Sequence, residues 1–125
     1  DVVARDYPII SRELSLGQLV RDYILVTGQR YFAVADGVKF EGVMTVRNIK
    51  PIPKERWDST PVGEIMTPAS ELKTAQAEQP ASSLLEQMDE LGIDCMPVLE
   101  QDKVIGIVIQ DNLMRLVKTR TELGK

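Results

Sequence analysis

The sequence predicts an α+β fold made of two β-α-β-β-α repeats packed about a pseudo-twofold axis. Three observations predict it. Residues 16–49 align with residues 80–113 without a gap, at a constant step of 64 residues, and a fixed internal period outranks any local signal. The matches fall where backbone geometry is demanding: Gly28 on Gly92, Val34 on Val98, Lys39 on Lys103, Gly42 on Gly106 and Asn48 on Asn112. Finally, half of a 125-residue chain is too small to cover both faces of a sheet, so the halves should pack sheet to sheet. The expected division is 1–61, a first repeat with its connector, and 62–125, a second repeat.

The first repeat opens with a loop carrying Asp6, Tyr7 and Pro8, then a short strand at Ile9 and Ile10. Ser15 and Gln18 stand three apart, the spacing of a capping box. Leu16, Leu19, Val20, Tyr23 and Ile24 follow at helical spacing and form one apolar stripe. Gly28 is placed to end that helix left-handed. Residues 31–35 read as a strand, Asp36-Gly37 as a hairpin turn and residues 39–44 as the returning strand. Gly42 inside that strand signals a bulge or a close approach to the backbone. Thr45 to Ile49 open a second helix, which Pro51 and Pro53 stop early. In the connector, Trp57 reads as a packing anchor.

The order then recurs. Residues 72–75 are expected as a strand, Pro80 as a helix start, and Leu84, Leu85, Met88 and Leu91 as its stripe, closed by Gly92. Residues 95–99 and 104–109 should pair across a turn at 100–102. The last and longest helix is expected from about Asp111 to Glu122, with Leu113, Leu116 and Val117 on one face.

Composition narrows the chemistry. The apolar fraction is 43%, the charged fraction 27% and the net charge −4, which describes a globular chain without the basic face that nucleic acid needs. No run of some 18 apolar residues is present, so no direct membrane insertion is expected. The chain begins at Asp1 and is read as a piece of a longer protein. It contains no histidine, which removes Ser-His-Asp and Cys-His catalysis and His-metal sites together. The single cysteine, Cys95, excludes an internal disulfide and a structural zinc site, fits a reducing compartment, and is expected as a buried, inert thiol. No catalytic or metal site is therefore expected; Asp111 beside Asn112 is the nearest approach to one, and Asp111 is more simply a helix N-cap.

The residues Val62-Gly63-Glu64-Ile65-Met66-Thr67 resemble the opening motif of the CBS domain family. Met96-Pro97-Val98 resembles the start of its second strand, and Gly42-Val43-Met44-Thr45 and Gly106-Ile107-Val108 resemble its Gly-Val-Val-Thr strand. The helix openings Arg47-Asn48-Ile49 and Asp111-Asn112-Leu113 are similar to its Arg-Asp-Leu. In duplicate, over essentially the whole chain, these identify the sequence as resembling a CBS domain pair, or Bateman module. The resemblance implies a non-enzymatic regulatory module that needs no cofactor and senses an adenosine-containing ligand (AMP, ADP, ATP or S-adenosylmethionine) between the repeats. It also implies a homodimer and fusion to an effector. Pro53-Lys54-Glu55-Arg56-Trp57 resembles the module that ends some membrane-embedded site-2-type zinc proteases, so a cytoplasmic module tethered through such a parent is expected.

The ligand-binding candidates implied by the resemblance are Thr45, Arg47, Asn48, Asp111 and Asn112. The family places an aspartate three residues after the threonine of its strand to accept both hydroxyls of the ribose. Here both positions are asparagine, which exchanges charge-assisted for neutral bonds at a cost of about 1–2 kcal/mol, or about tenfold in affinity. Thr45 could hold a phosphate at the N-terminus of the following helix, with Arg47 beside it; its counterpart Ile109 cannot. Thr45 with Asn48 is equally a plain helix cap. The alternative function is a dimerisation or protein-interaction module whose nucleotide site has decayed, with Leu113, Leu116 and Val117 offering an isologous interface.

Overall fold

The computed structural model describes residues 8–37, 39–101 and 103–124. The opening loop through Tyr7 lies outside them. The chain divides into two compact units, Tyr7–Leu72 and Lys73–Lys125, and each repeats the order strand, helix, strand, strand, helix.

In the first unit β1 (Ile9–Ile10) lies parallel to β2 (Tyr31–Asp36), which pairs antiparallel with β3 (Lys39–Thr45). The sheet is completed by β4 (Thr67–Pro68), antiparallel to β3. Between β1 and β2 runs a continuous helical stretch in three parts: α1 (Leu16–Leu19), a π-helical turn Val20–Ile24, and α2 (Leu25–Thr27). Ser15 caps it, its Oγ accepting from the Gln18 amide at 3.1 Å. Gly28 ends it at φ +75°, a conformation that costs a Cβ-bearing residue energy. The apolar stripe packs on the sheet: Leu16, Leu19, Phe32, Val34 and Met44 are fully buried together, and Tyr23 meets Phe32 edge-on with ring centroids 6.2 Å apart. α3 (Val46–Ile49) is a single turn. The connector folds as a 3-10 helix, Lys54–Ser59, and Trp57 packs on the core edge while its Nε1 donates to Ile52 O at 2.9 Å.

In the second unit β5 (Ala75–Gln76) lies parallel to β6 (Cys95–Glu100), which pairs antiparallel with β7 (Lys103–Ile109). α5 (Ala81–Leu91) follows Pro80 and closes at Gly92, φ +66°. α6 (Gln110–Glu122) is the longest helix described. Leu84, Met88, Met96, Val98, Val108 and Leu113 form this unit's core.

Several expectations need correction. The strand placed at 72–75 is β5, Ala75–Gln76, because a 3-10 turn at Ala69–Glu71 occupies the chain before it. Cys95 is half-buried, not sealed in the core. Asp111 is not the cap of α6: that position belongs to Ile109, leaving Asp111 inside the first turn. Leu113 is 2% exposed, spent on its own core and closed to any partner.

The compact units also part at Leu72/Lys73, beyond the boundary expected between residues 61 and 62. The cause is local. Val62 is fully buried in the first unit's core, its amide donates to Leu14 O at 2.7 Å, and β4 continues the first sheet. The opening motif of the second repeat, including α4 (Val62–Ile65), thus completes the first unit.

Candidate functional site

The best-defined expected site is the turn where β3 runs into α3. The Thr45 amide and the Thr45 hydroxyl both donate to Asn48 Oδ1, each at 2.9 Å, and the pair closes a capping box across the first turn. A carboxamide oxygen has two lone pairs. Both are committed here, so Asn48 keeps only its amide hydrogens for a ligand. Arg47 is exposed on the same turn and is itself engaged with the protein. Thr45, Arg47 and Asn48 are therefore brought together as the sequence implied. However, α3 has only four residues, and one turn aligns too few peptide dipoles to hold a phosphate by itself.

In the second unit Asp111 and Asn112 share the first turn of α6. Asn112 Oδ1 accepts from Arg115 Nη2 at 3.3 Å, so its side chain also serves its own helix. Ile109 makes no side-chain cap there.

A second place in the first unit went unread in the sequence. Across β2 and β3, Val34 pairs with Gly42 but Ala35 with Phe40, so Glu41 is the extra residue of a β-bulge. Its side chain is 13% exposed and reaches Arg12 through Oε2 at 3.3 Å. The other oxygen, Oε1, is buried with no hydrogen-bond partner among the described residues, a condition that costs about 1–3 kcal/mol. Arg12 in turn lies flat on Gly63 of α4. A Cβ there would sit 2.8 Å from Arg12 Nε, and the Gly63 amide donates to Arg12 O at 2.8 Å. Beside this clip opens a cavity of about 580 Å³, walled by Lys39, Phe40, Glu41, Glu64, Met66 and Glu71 among others. The available signal was a charged residue next to a strand glycine, at a position where the second repeat carries Ile105.

A third feature, in the second unit, is a groove of about 350 Å³ between α5 and α6, lined by Leu85, Met114 and Val117 with Glu86 and Asp89 at its edge. Among the described residues no group of three or more Cys, Asp or Glu is placed to hold a metal ion, and no helix is long and apolar enough to cross a membrane.

The architecture is thus one of two units with the same order of sheet and helix elements. Residues 62–119 match the family model described as the CBS domain. A candidate acetoin-utilisation protein (AcuB) from Vibrio cholerae superimposes with a TM-score of 0.81 at 18% identity, covering 97% of this chain and 91% of that one. The CBS domain pair of protein MJ0100, solved with 5-methylthioadenosine and S-adenosylmethionine, does so with a TM-score of 0.74 at 21% identity, covering 94% and 93%. Residues 62–119 thus carry the CBS domain match, and the chain has the fold of a CBS domain pair. By sequence it is similar to the candidate zinc metalloprotease Rip3 of Mycobacterium tuberculosis, 28% identical over 106 residues, 83% of this chain and 27% of that protein. It is also similar to the candidate zinc metalloprotease sll0528 of Synechocystis, 20% identical over 122 residues, 95% of this chain and 32% of that protein. The chain spans about a quarter to a third of the length of these relatives.

Proposed function

We propose that the chain is the regulatory CBS pair of a larger, membrane-embedded zinc protease, with residues 1–61 and 62–125 as its two repeats. It senses an adenosine-containing ligand and carries no catalysis itself. The observation that supports this most is the joint occurrence of the CBS match over residues 62–119 and the likeness of most of the chain to zinc metalloproteases. The ligand class is supported by the MJ0100 pair, a protein of the same fold solved with 5-methylthioadenosine and S-adenosylmethionine. On this chain the adenosine would meet Thr45, Arg47 and Asn48, with Asp111 and Asn112 the second repeat's contribution. The ligand acts by its differential affinity for two states of the module; the location proposed with this reading is the cytoplasm, tethered to the membrane through the parent protein.

Calorimetry with AMP, ADP, ATP and S-adenosylmethionine tests this reading. Saturable heat is expected from at least one of them. Asn48→Asp restores a charged acceptor while keeping the cap, and should tighten that binding about tenfold. Silence of both proteins at millimolar ligand overturns it.

One observation favours a second reading, a dimerisation module with a spent nucleotide site: both oxygen acceptors, Asn48 Oδ1 and Asn112 Oδ1, are taken by neighbouring groups. The α5–α6 groove supports a homodimer there. Glu86 and Asp89 stand on α5 and Arg115 and Lys118 on α6, so two copies related by a twofold would set acids against bases. Light scattering that gives a monomer at high concentration removes this reading.

A further inference from the structure

We infer that Met66 is a reversible oxidation switch: a peroxide converts its thioether to the sulfoxide, and the sulfoxide releases β4 from β3. The Thr45 turn takes no part in it.

The setting of this side chain differs from that of the other four methionines. Met44, Met88 and Met96 are sealed in the two cores at 0% exposure, and Met114 stands on α6 at 50%. Met66 occupies a border. It packs against the first unit's core and also lines the cavity of about 580 Å³, which readily admits a molecule as small as hydrogen peroxide. Its sulfur lies over β3 where no side chain shields the backbone: a Cβ on Gly42 would sit 3.0 Å from Met66 Sδ. In chain order Met66 is also the joint between two short elements. Its amide donates to Val62 O at 2.9 Å and closes α4, and the next residue, Thr67, begins β4. β4 is paired with β3 over two residues, Thr67 opposite Val43 and Pro68 opposite Gly42, and Pro68 has no N–H to donate. A ladder that short opens at low free-energy cost.

In the chemical step a lone pair on Sδ takes one oxygen of the peroxide, the O–O bond breaks, and the second oxygen leaves as water. The sulfur is oxidised by two electrons and the peroxide is reduced by two. The product carries a strong acceptor and a large dipole where a soft apolar sulfur had been. Left against Gly42 and the apolar core, that oxygen forfeits its hydration, so the side chain turns out toward solvent. The Thr67 carbonyl and Met66 Sδ share the space over Gly42, and the sulfur's departure draws the adjoining strand with it. The second state of the switch is β3 with that edge unpaired.

The test is hydrogen peroxide treatment of the full chain carrying Cys95→Ser and Met114→Leu, which removes the other two sulfurs that are not fully buried. Peptide mass mapping should show one added oxygen at Met66 at least tenfold faster than at Met44, Met88 or Met96. Amide exchange over residues 66–67 and 42–43 should then quicken at least tenfold while β6 and β7 keep their protection. Methionine sulfoxide reductases of both epimer specificities should restore the original rates. Adding Met66→Leu, a swap of similar volume, should abolish the response. The wild-type chain, mapped residue by residue, is expected to give the same readings at Met66 and β3, which keeps the test open if the double variant does not fold. Oxidation at Met66 no faster than at the buried methionines, oxidation there with unchanged exchange, or protection lost throughout the chain overturns the inference. So does a change that the reductases leave in place, or an equal response with Met66→Leu.

Discussion

The two repeats agree to the residue through one hairpin and diverge in the helix packed on it. β2 and β3 pair Tyr31 with Thr45 through Asp36 with Lys39; β6 and β7 pair Cys95 with Ile109 through Glu100 with Lys103. Every pair is displaced by the same 64 residues, including the register shift after Val34 and after Val98. The hairpin is thus the rigid template of the repeat. The helix packed on it is more tolerant. In the first repeat it runs as segments of four, five and three residues between Ser15 and Gly28; in the second it has 11 between Pro80 and Gly92. One extra residue is housed by the π-helical turn, whose closing bond runs from the Leu25 amide to Val20 O. An insertion inside a helix is absorbed as a π-bulge so that both flanks keep their buried faces. The comparison teaches that core-facing stripes were held fixed and the surplus was pushed into one irregular turn.

Substitutions can break this equivalence where it is strictest. Phe32 and Met96 occupy matching hairpin positions and are both fully buried. Phe32→Ala should cost about 3–5 kcal/mol and Met96→Ala about 2–5 kcal/mol, read from denaturant midpoints at unchanged m. Deleting single residues sharpens the difference between the helices. Removal of exposed Glu86 from α5 rotates all that follows by about 100°, swings Met88 out of the core and should cost about 2–5 kcal/mol. Removal of exposed Asp22 from the π-turn merely restores a regular helix, and its thermal midpoint should move by less than about 1 kcal/mol equivalent. Smaller still is the contrast between caps. Ser15→Ala should cost about 1 kcal/mol in thermal denaturation, and Pro80→Ala less, since Pro80 makes no side-chain cap bond.

Much of this was legible because apolar period and turn chemistry act locally. Ser15, Gly28 and Gly92 announced their caps, and Gly42 announced a bulge or a close neighbour; the bulge is at the adjacent Glu41, and β4 passes so near that a Cβ on Gly42 would meet the Thr67 carbonyl and Met66 Sδ. The π-turn was not legible, because a gapless alignment absorbs an insertion near its end without complaint. Nor was the seating of Val62 in the first core, which depends on a contact between residues far apart in sequence. For the candidate ligand residues, spacing alone placed Thr45 and Asn48 together. It could not say that their hydrogen bonds are spent on each other. The ion pair of Arg12 with Glu41 spans 29 positions, which no periodicity reports.

β4 carries a consequence for anyone who divides the molecule. A fragment ending at residue 61 would lose Val62 from its interior and leave β3 with an open border, inviting a foreign strand to fill it. A fragment ending at Leu72 keeps both the plug and the hem. The division expected from the repeated sequence and the seam between the compact units are two different lines, and scissors should follow the second.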